Sequence, residues 1–301
     1  MKLDGRRESS NVEDRRGGFS SGSSRMSTGK KGGCAGIITL LIGAIIWYAT
    51  GDSSMFMNNL GSSTQQNTEQ TITQNNTGNS AQNNELKTFA SKILASTEDV
   101  WTKIFKQNGM QYHCPKMVIF SDNVKSACGN ATSDTGPFYC SGDQCLYLDL
   151  TFFSTMKKQL GASGDFAYAY VIAHEVGHHI EYETGILSQL HRKMDQCRSE
   201  AEANKISVRI ELLADFYAGI WGYYENKTFS SLEDGDLEEA INCAHQIGDD
   251  YLQKSAGYRT VREEAFTHGT SKQRMKWLKL GLTTGDISQG NKILNCPESE
   301  L

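Results

Sequence analysis

Proline is nearly absent, three residues in 301, and the 29 glycines are scattered without period. A collagen-like chain is excluded, and a wholly disordered one is disfavoured by an ordinary apolar content of 38%. A basic body is missing too. Thirty Lys/Arg face 35 Asp/Glu for a formal net charge of −5, and the positive surplus is confined to residues 1–33, with eight Lys/Arg against four Asp/Glu. The remainder carries 22 against 31. A nucleic-acid binder carries its basic patch on the folded part, so nucleic acid is not an expected partner. No internal repeat is present.

Long apolar runs are lacking with one exception, Cys34–Thr50 (CAGIITLLIGAIIWYAT), which contains no charge. As a helix its 17 residues span about 25 Å, slightly short of a typical hydrocarbon core. Trp47 and Tyr48 stand where an aromatic belt would sit, and Lys30 and Lys31 flank the other end. The expectation is a single-pass anchor whose partner is the lipid bilayer. It leaves 1–33 as a basic cytoplasmic tail and places everything after residue 50 outside. A cleaved signal peptide fits less well, because the basic region is too long and WYATG lacks a small residue at the −3 position.

Seven of the eight cysteines follow the anchor: Cys114, Cys128, Cys140, Cys145, Cys197, Cys243 and Cys296. In an extracytoplasmic domain they are expected to form disulfides, with at least one left over, and the pairing is not readable. Cys140 and Cys145 in CSGDQC could instead offer two thiolates to zinc, but no second Cys/His pair of suitable spacing lies nearby.

Residues 51–84 are rich in Ser, Asn, Gln and Thr and read as a disordered linker that cannot bury enough surface to offset its ordering entropy. A folded domain is expected over 85–301. Phe89, Ile93, Leu94, Val100, Trp101 and Ile104 recur at helical spacing until Gly109. Residues 117–120, 136–139 and 146–150 read as strands between turn residues. From about residue 152 the signals are helical, and Asp236 with Glu239 and Thr270 with Gln273 resemble capping boxes. A few strands followed by a run of helices predicts an α+β fold, mostly helical with a small β-sheet.

Within the helical stretch DFAYAYVIAHEVGHHIEY lies H-E-x-x-H, His174 to His178. Residues i and i+4 project from one face, so two imidazoles can meet one Zn2+ about 2.0–2.1 Å from each nitrogen. Glu175 sits off the metal but close to a water that the metal would acidify, in the position of a general base. A metzincin would need Gly at 181 and His at 184, where this chain has Glu181 and Thr184. A gluzincin-type site needs a Glu on a second helix, and Glu211-Leu-Leu-Ala-Asp215 supplies it. Glu211 is assigned to the metal and Asp215 to the free N–H of His174. On the same helix Leu212, Phe216 and Ile220 are expected to pack inward. His179 lies about 100° round the helix from His178 and is read as a packing or surface residue, while His191 and His113 lack supporting context. His268, just before a capped helix, is the candidate donor to a developing oxyanion, with Tyr217 and Tyr223 as competitors. The strand at Cys145–Leu150, if an exposed edge, could pair with a substrate.

GRRESSNVEDRRG, GPFYC with LYLDLTFF, VIAHEVGHH, SVRIELLADFYAG, GDLEEAIN with IGDD, and FTHGTSKQR are together similar to blocks of the bacterial neutral zinc metallopeptidase family, over nearly the full length. The resemblance implies a zincin-like catalytic domain behind one inner-membrane anchor, facing the periplasm. It carries His174, His178 and Glu211 over as zinc ligands and Glu175 as base, and it implies peptide or protein substrates. Phe216 stands where that family often has Cys, which bears on disulfides and not on the metal. The competing expectation is a non-catalytic zinc-binding scaffold of the cell envelope.

Overall fold

The computed structural model describes residues 1–16 and 76–301. The apolar run 34–50 and most of the expected linker lie outside the described residues. Among those described, no helix is long and apolar enough to cross a membrane.

Helix α1 (Asn76–Gln107) begins nine residues before the expected domain boundary at Glu85. Its apolar stripe buries Ile93, Leu94 and Trp101 completely, each such side chain contributing about 1.5–3 kcal/mol of transfer free energy. Gly109, with φ 71°, follows the helix in the left-handed region that a residue without Cβ enters freely.

The sheet has the order β1-β2-β6-β5, where β1 is Val12–Asp14, β2 Lys116–Phe120, β5 Phe138–Cys140 and β6 Cys145–Asp149. β1 and β6 run parallel to β2, and β5 runs antiparallel to β6. Side chains alternate across the pleat. Met117, Ile119, Leu146 and Leu148 enter the main core, while Val118, Phe120, Cys145 and Tyr147 form a second cluster on the other face. That second face is covered by a hairpin of β3 (Asn123–Ser126) and β4 (Gly129–Thr132), through Val124 and Ala131. The hairpin is tied to β5 by a disulfide between Cys128 and Cys140.

The remaining elements are helical: α2 (Thr151–Thr155), α3 (Asp165–Glu183), α4 (Ile186–Met194), α5 (Glu200–Phe229), α6 (Asp236–Gln246), α7 (Asp249–Ser255), α8 (Ser271–Thr284) and α9 (Gly290–Asn295). The fold is thus α+β, mostly helical with a small sheet. Helix α5 forms the spine. Leu212, Phe216 and Ile220 on it are fully buried, and it packs against α3 and α8. The α3–α5 crossing depends on Gly177, where an added Cβ would stand 2.8 Å from the Ala214 carbonyl oxygen and 2.9 Å from its Cα. That close approach brings the two helices' site residues within reach of each other.

Cys140 is in a disulfide with Cys128, in line with the preference for disulfides over Cys140 and Cys145 as zinc thiolates. Three expectations need correction. Cys145–Leu150 is no edge, because β6 is sandwiched between β2 and β5, and the edge beside α3 is β5. The Thr270–Gln273 capping box forms, but α6 is entered through Gly235 without a side-chain cap, and Glu239 instead accepts from the Phe166 amide at 3.0 Å. Finally, the folded body does not start at residue 85: residues 1–16, expected as part of a free tail, supply β1 and pack on it.

Candidate metal centre

Two antiparallel requirements meet at the site. Ionisable groups must be taken out of water, and each must keep a partner there. Helix α3 brings His174 and His178 to one face a turn apart, and their rings stand 4.8 Å apart between centroids. Helix α5 presents Glu211, 2% exposed, against both. The Glu211 carboxylate lies 3.2 Å from His174 Nε2 and 3.6 Å from His178 Nε2. One donor atom from each residue falls within 4.8 Å of the others, so the three form a group able to hold a metal ion.

The Nδ1 atoms are already committed. His174 Nδ1 donates to Asp215 Oδ1 at 2.8 Å, and His178 Nδ1 to Glu181 Oε2 at 3.0 Å. Both Nε2 atoms are thereby turned towards Glu211. Asp215 is itself clamped. Arg274 reaches it through Nε at 2.8 Å and Nη2 at 2.9 Å, and the Tyr170 hydroxyl donates at 2.5 Å. Arg274 is 3% exposed and Asp215 fully buried.

These contacts set the titration of the site. Burial alone would raise the Asp215 carboxyl, but Arg274 and His174 hold it well below the usual carboxylate range. Glu211 is likewise held low against burial by His268, His178 and His174. Burial opposes charge on His174, yet Asp215 and Glu211 push it up to about 10, and His178 rises in the same direction beside Glu211 and Glu181. Glu181 is pushed up to about 7 by burial, partly offset by His178. Burial also raises Glu175, against the pull of His174 and His178.

His268 sits on the loop before α8. Asp249, at the start of α7, accepts the backbone amides of Thr267, His268 and Gly269 at 2.8, 2.7 and 2.9 Å on one carboxylate oxygen. Its other oxygen lies 3.4 Å from His268 Nδ1. The opposite ring nitrogen, Nε2, is 4.0 Å from Glu211 Oε2. Around the group opens a cavity of about 120 Å³, lined by Glu175, the three metal-capable residues, His268 and the edge strand's Phe138 and Tyr139. Phe152, Met156, Val171 and Ile247 add apolar wall.

The structure therefore brings together His174, Glu175, His178, Glu211, Asp215 and His268. Tyr217 and Tyr223 are elsewhere: Tyr217 packs edge-on to Trp101 at 5.5 Å, and Tyr223 lies against Gly285. His179 is a packing residue, its Nε2–H donating to the His113 carbonyl at 2.6 Å and its Nδ1 meeting the Tyr139 hydroxyl at 2.9 Å. His191, for which the sequence offers no supporting context, lines the cavity. Sequence reasoning missed Tyr170, Glu181, Asp249 and Arg274. Glu181 carried a signal, three residues after His178 and so on the same face. Arg274 is 59 residues from Asp215 and carried none.

A mostly helical α+β domain thus carries two helix-borne imidazoles and a carboxylate from a second helix, set beside a cavity as a group able to hold a metal ion. The chain belongs to the family described as "Putative neutral zinc metallopeptidase", whose model matches residues 1–293. It is 44% identical over 296 residues to "Uncharacterized protein YpfJ" of Escherichia coli strain K12, covering 97% of this chain and 98% of that one. It is 38% identical over 201 residues to "Uncharacterized protein Rv2575" of Mycobacterium tuberculosis strain H37Rv, covering 64% and 65% respectively. No solved structure matches.

Proposed function

We propose that the protein is a zinc-dependent peptidase in which His174, His178 and Glu211 hold the metal and Glu175 is the general base. The observation that carries this reading is the donor geometry. Bonds of about 2.0–2.1 Å at tetrahedral angles put neighbouring donor atoms roughly 3.3 Å apart, and the Glu211 carboxylate stands 3.2 Å through Oε2 from His174 Nε2 and 3.6 Å through Oε1 from His178 Nε2. Three protein donors leave a position open, as a catalytic site requires and a closed structural site does not. The cavity over that position favours catalysis over a scaffold.

When bound, zinc would supply Lewis acidity to an attacking water and to the scissile carbonyl. The chain's own residues do the rest. Glu175 takes a proton from the water and can return it to the departing amine. His268, held from behind by Asp249, donates a hydrogen bond to the carbonyl oxygen as negative charge develops there. Strand β5 is an edge beside the site, so an extended peptide can pair with it. The apolar wall of Phe152, Met156, Val171 and Ile247 suits an apolar side chain of that peptide.

Hydrolysis of a mixed peptide library by the zinc-loaded chain, abolished by chelation and restored by zinc, tests the reading; a zinc-loaded protein that cleaves nothing in such a library contradicts it. His268→Ala is expected to lower kcat by about 10²–10³-fold with KM little changed, whereas a change confined to KM would remove His268 from the oxyanion role. Metal loading should also release protons. With His174 pushed up to about 10, its imidazole is protonated at pH 7 in the metal-free protein, and zinc needs the lone pair that this proton occupies. Titration calorimetry in buffers of different ionisation enthalpy should show about one proton or more released per zinc at pH 7, with affinity rising as pH rises. Zero release would show that His174 is not protonated in the metal-free protein at pH 7.

A further inference from the structure

Residues 1–16 are held by the folded body through buried charge. Glu225, fully buried, accepts from Arg6 Nη1 at 2.5 Å and Nη2 at 3.3 Å, and from the Ser96 hydroxyl. Glu98, 5% exposed, accepts from Arg7 Nη2 at 2.9 Å, Ser9 Oγ at 2.6 Å and Asn11 Nδ2 at 2.7 Å. The backbones interlock as well. The Ser9 amide donates to the Ser91 carbonyl at 3.1 Å, and the Ser91 hydroxyl returns to the Ser9 carbonyl at 3.3 Å. The Met117 amide donates to the Asn11 carbonyl at 2.8 Å and the Arg15 amide to the Ile119 carbonyl at 2.7 Å, flanking the parallel β1–β2 pairing with Val12 opposite Met117. Were these residues removed, Glu225 and Glu98 would be left buried without their arginines, the costly half of a broken ion pair, and β2 would lose one of its two neighbours.

We infer that residues 1–16 and 76–301 lie on the same side of any membrane the protein meets, so the apolar run 34–50 does not make a single crossing between them. A chain whose two parts meet in one folded body crosses a bilayer an even number of times. Residues 17–75 contain one apolar run of near-spanning length, and its 17 residues cannot supply two crossings. The run can meet the bilayer only from the side that holds the body. The charge pattern that favoured a cytoplasmic tail has a different cause. Of the eight Lys/Arg in 1–33, Arg6, Arg7, Arg15 and Arg16 are in ion pairs with Glu225, Glu98 with Asp99, Glu13 and Asp14. Arg6 and Arg7 are spent on carboxylates of the body, and Arg15 and Arg16 on those of their own segment, and an ion-paired arginine is not a free topological signal. This inference is independent of zinc and of catalysis.

The test uses the full chain in bacterial cells. Lys2 and Lys254 are exposed, with side chains 66% and 64% accessible. Lys2→Cys and Lys254→Cys variants, each read above the parent's background, are treated with a membrane-impermeant thiol reagent before and after permeabilisation. Both positions should react under the same condition. Reaction of one in intact cells and of the other only after permeabilisation overturns the inference. A second variant checks the docking itself. In the Ser9→Cys/Ser91→Cys double variant, mild oxidation should link the N-terminal segment to the body. The link should survive cleavage at a protease site placed between residues 52 and 75, and neither single variant should show it. A double variant whose introduced thiols both react with a reagent yet never link overturns the docking on which the inference rests.

Discussion

Glu175→Gln is expected to keep zinc and fold while lowering peptide hydrolysis by about 10²–10⁴-fold, the usual contribution of a positioned general base. That range corresponds to roughly 2.7–5.5 kcal/mol of transition-state stabilisation. The substitution is nearly isosteric and removes one ability, that of accepting a proton. Glu175 is not a member of the group that can hold the metal, so zinc content should stay unchanged. The side chain lines the cavity, and the amide can still accept hydrogen bonds there. Single-turnover cleavage of a library-derived peptide, beside metal analysis of the same sample, reads both halves of the expectation. Undiminished cleavage by the variant would end the general-base role of Glu175. Lost cleavage together with lost zinc would make the residue a metal-site component instead.

Asp215→Ala should strongly destabilise the fold. Arg274 has no route to water at 3% exposure, and Asp215 supplies two of its hydrogen bonds. Removing one partner of such a pair leaves an uncompensated buried charge, at a cost of about 3–5 kcal/mol. For a domain of this size that lowers Tm by roughly 6–20 °C. The Tyr170 hydroxyl and His174 Nδ1 lose their acceptor at the same time, so zinc affinity should fall by about 10–100-fold as well. Asp215→Asn keeps the volume and an acceptor but not the charge, and should fall between Ala and the parent in Tm. Thermal unfolding of the metal-free proteins separates the fold effect from the metal effect. A metal-free Tm unchanged by Asp215→Ala would contradict a stabilising role for the buried Asp215–Arg274 pair.

What the sequence disclosed follows from the range over which its signals act. His174, Glu175 and His178 are legible because helix geometry makes i and i+4 neighbours, with no knowledge of the rest of the fold required. Glu211 and Asp215 repeat that spacing on a second helical stretch, so the pair could be matched to the first helix by chemistry alone. Arg274 and Asp249 answer to no such period. Arg274 reaches Asp215 from 59 residues away, and Asp249 acts by gathering the backbone amides of residues 267–269, which no side-chain pattern announces. Strand β1 shows the same limit in the fold. Its three residues, Val12-Glu13-Asp14, include two acids flanked by arginines and read as a charged tail. Its parallel partner lies more than a hundred residues on, so no turn or alternation marks the pairing. The strands β2 and β6 were legible in position because burial on both faces makes them continuously apolar, but their order in the sheet was not, and the edge fell to β5.

The central claim is that His174, His178 and Glu211 together hold one zinc. Metal analysis of the full chain after equilibration with equimolar zinc, beside its Glu211→Ala variant, tests it most directly, with circular dichroism to show that both are folded. The account predicts one zinc per chain in the parent and near-complete loss in the variant. A folded parent without zinc, or a Glu211→Ala variant that retains it as tightly, would contradict it.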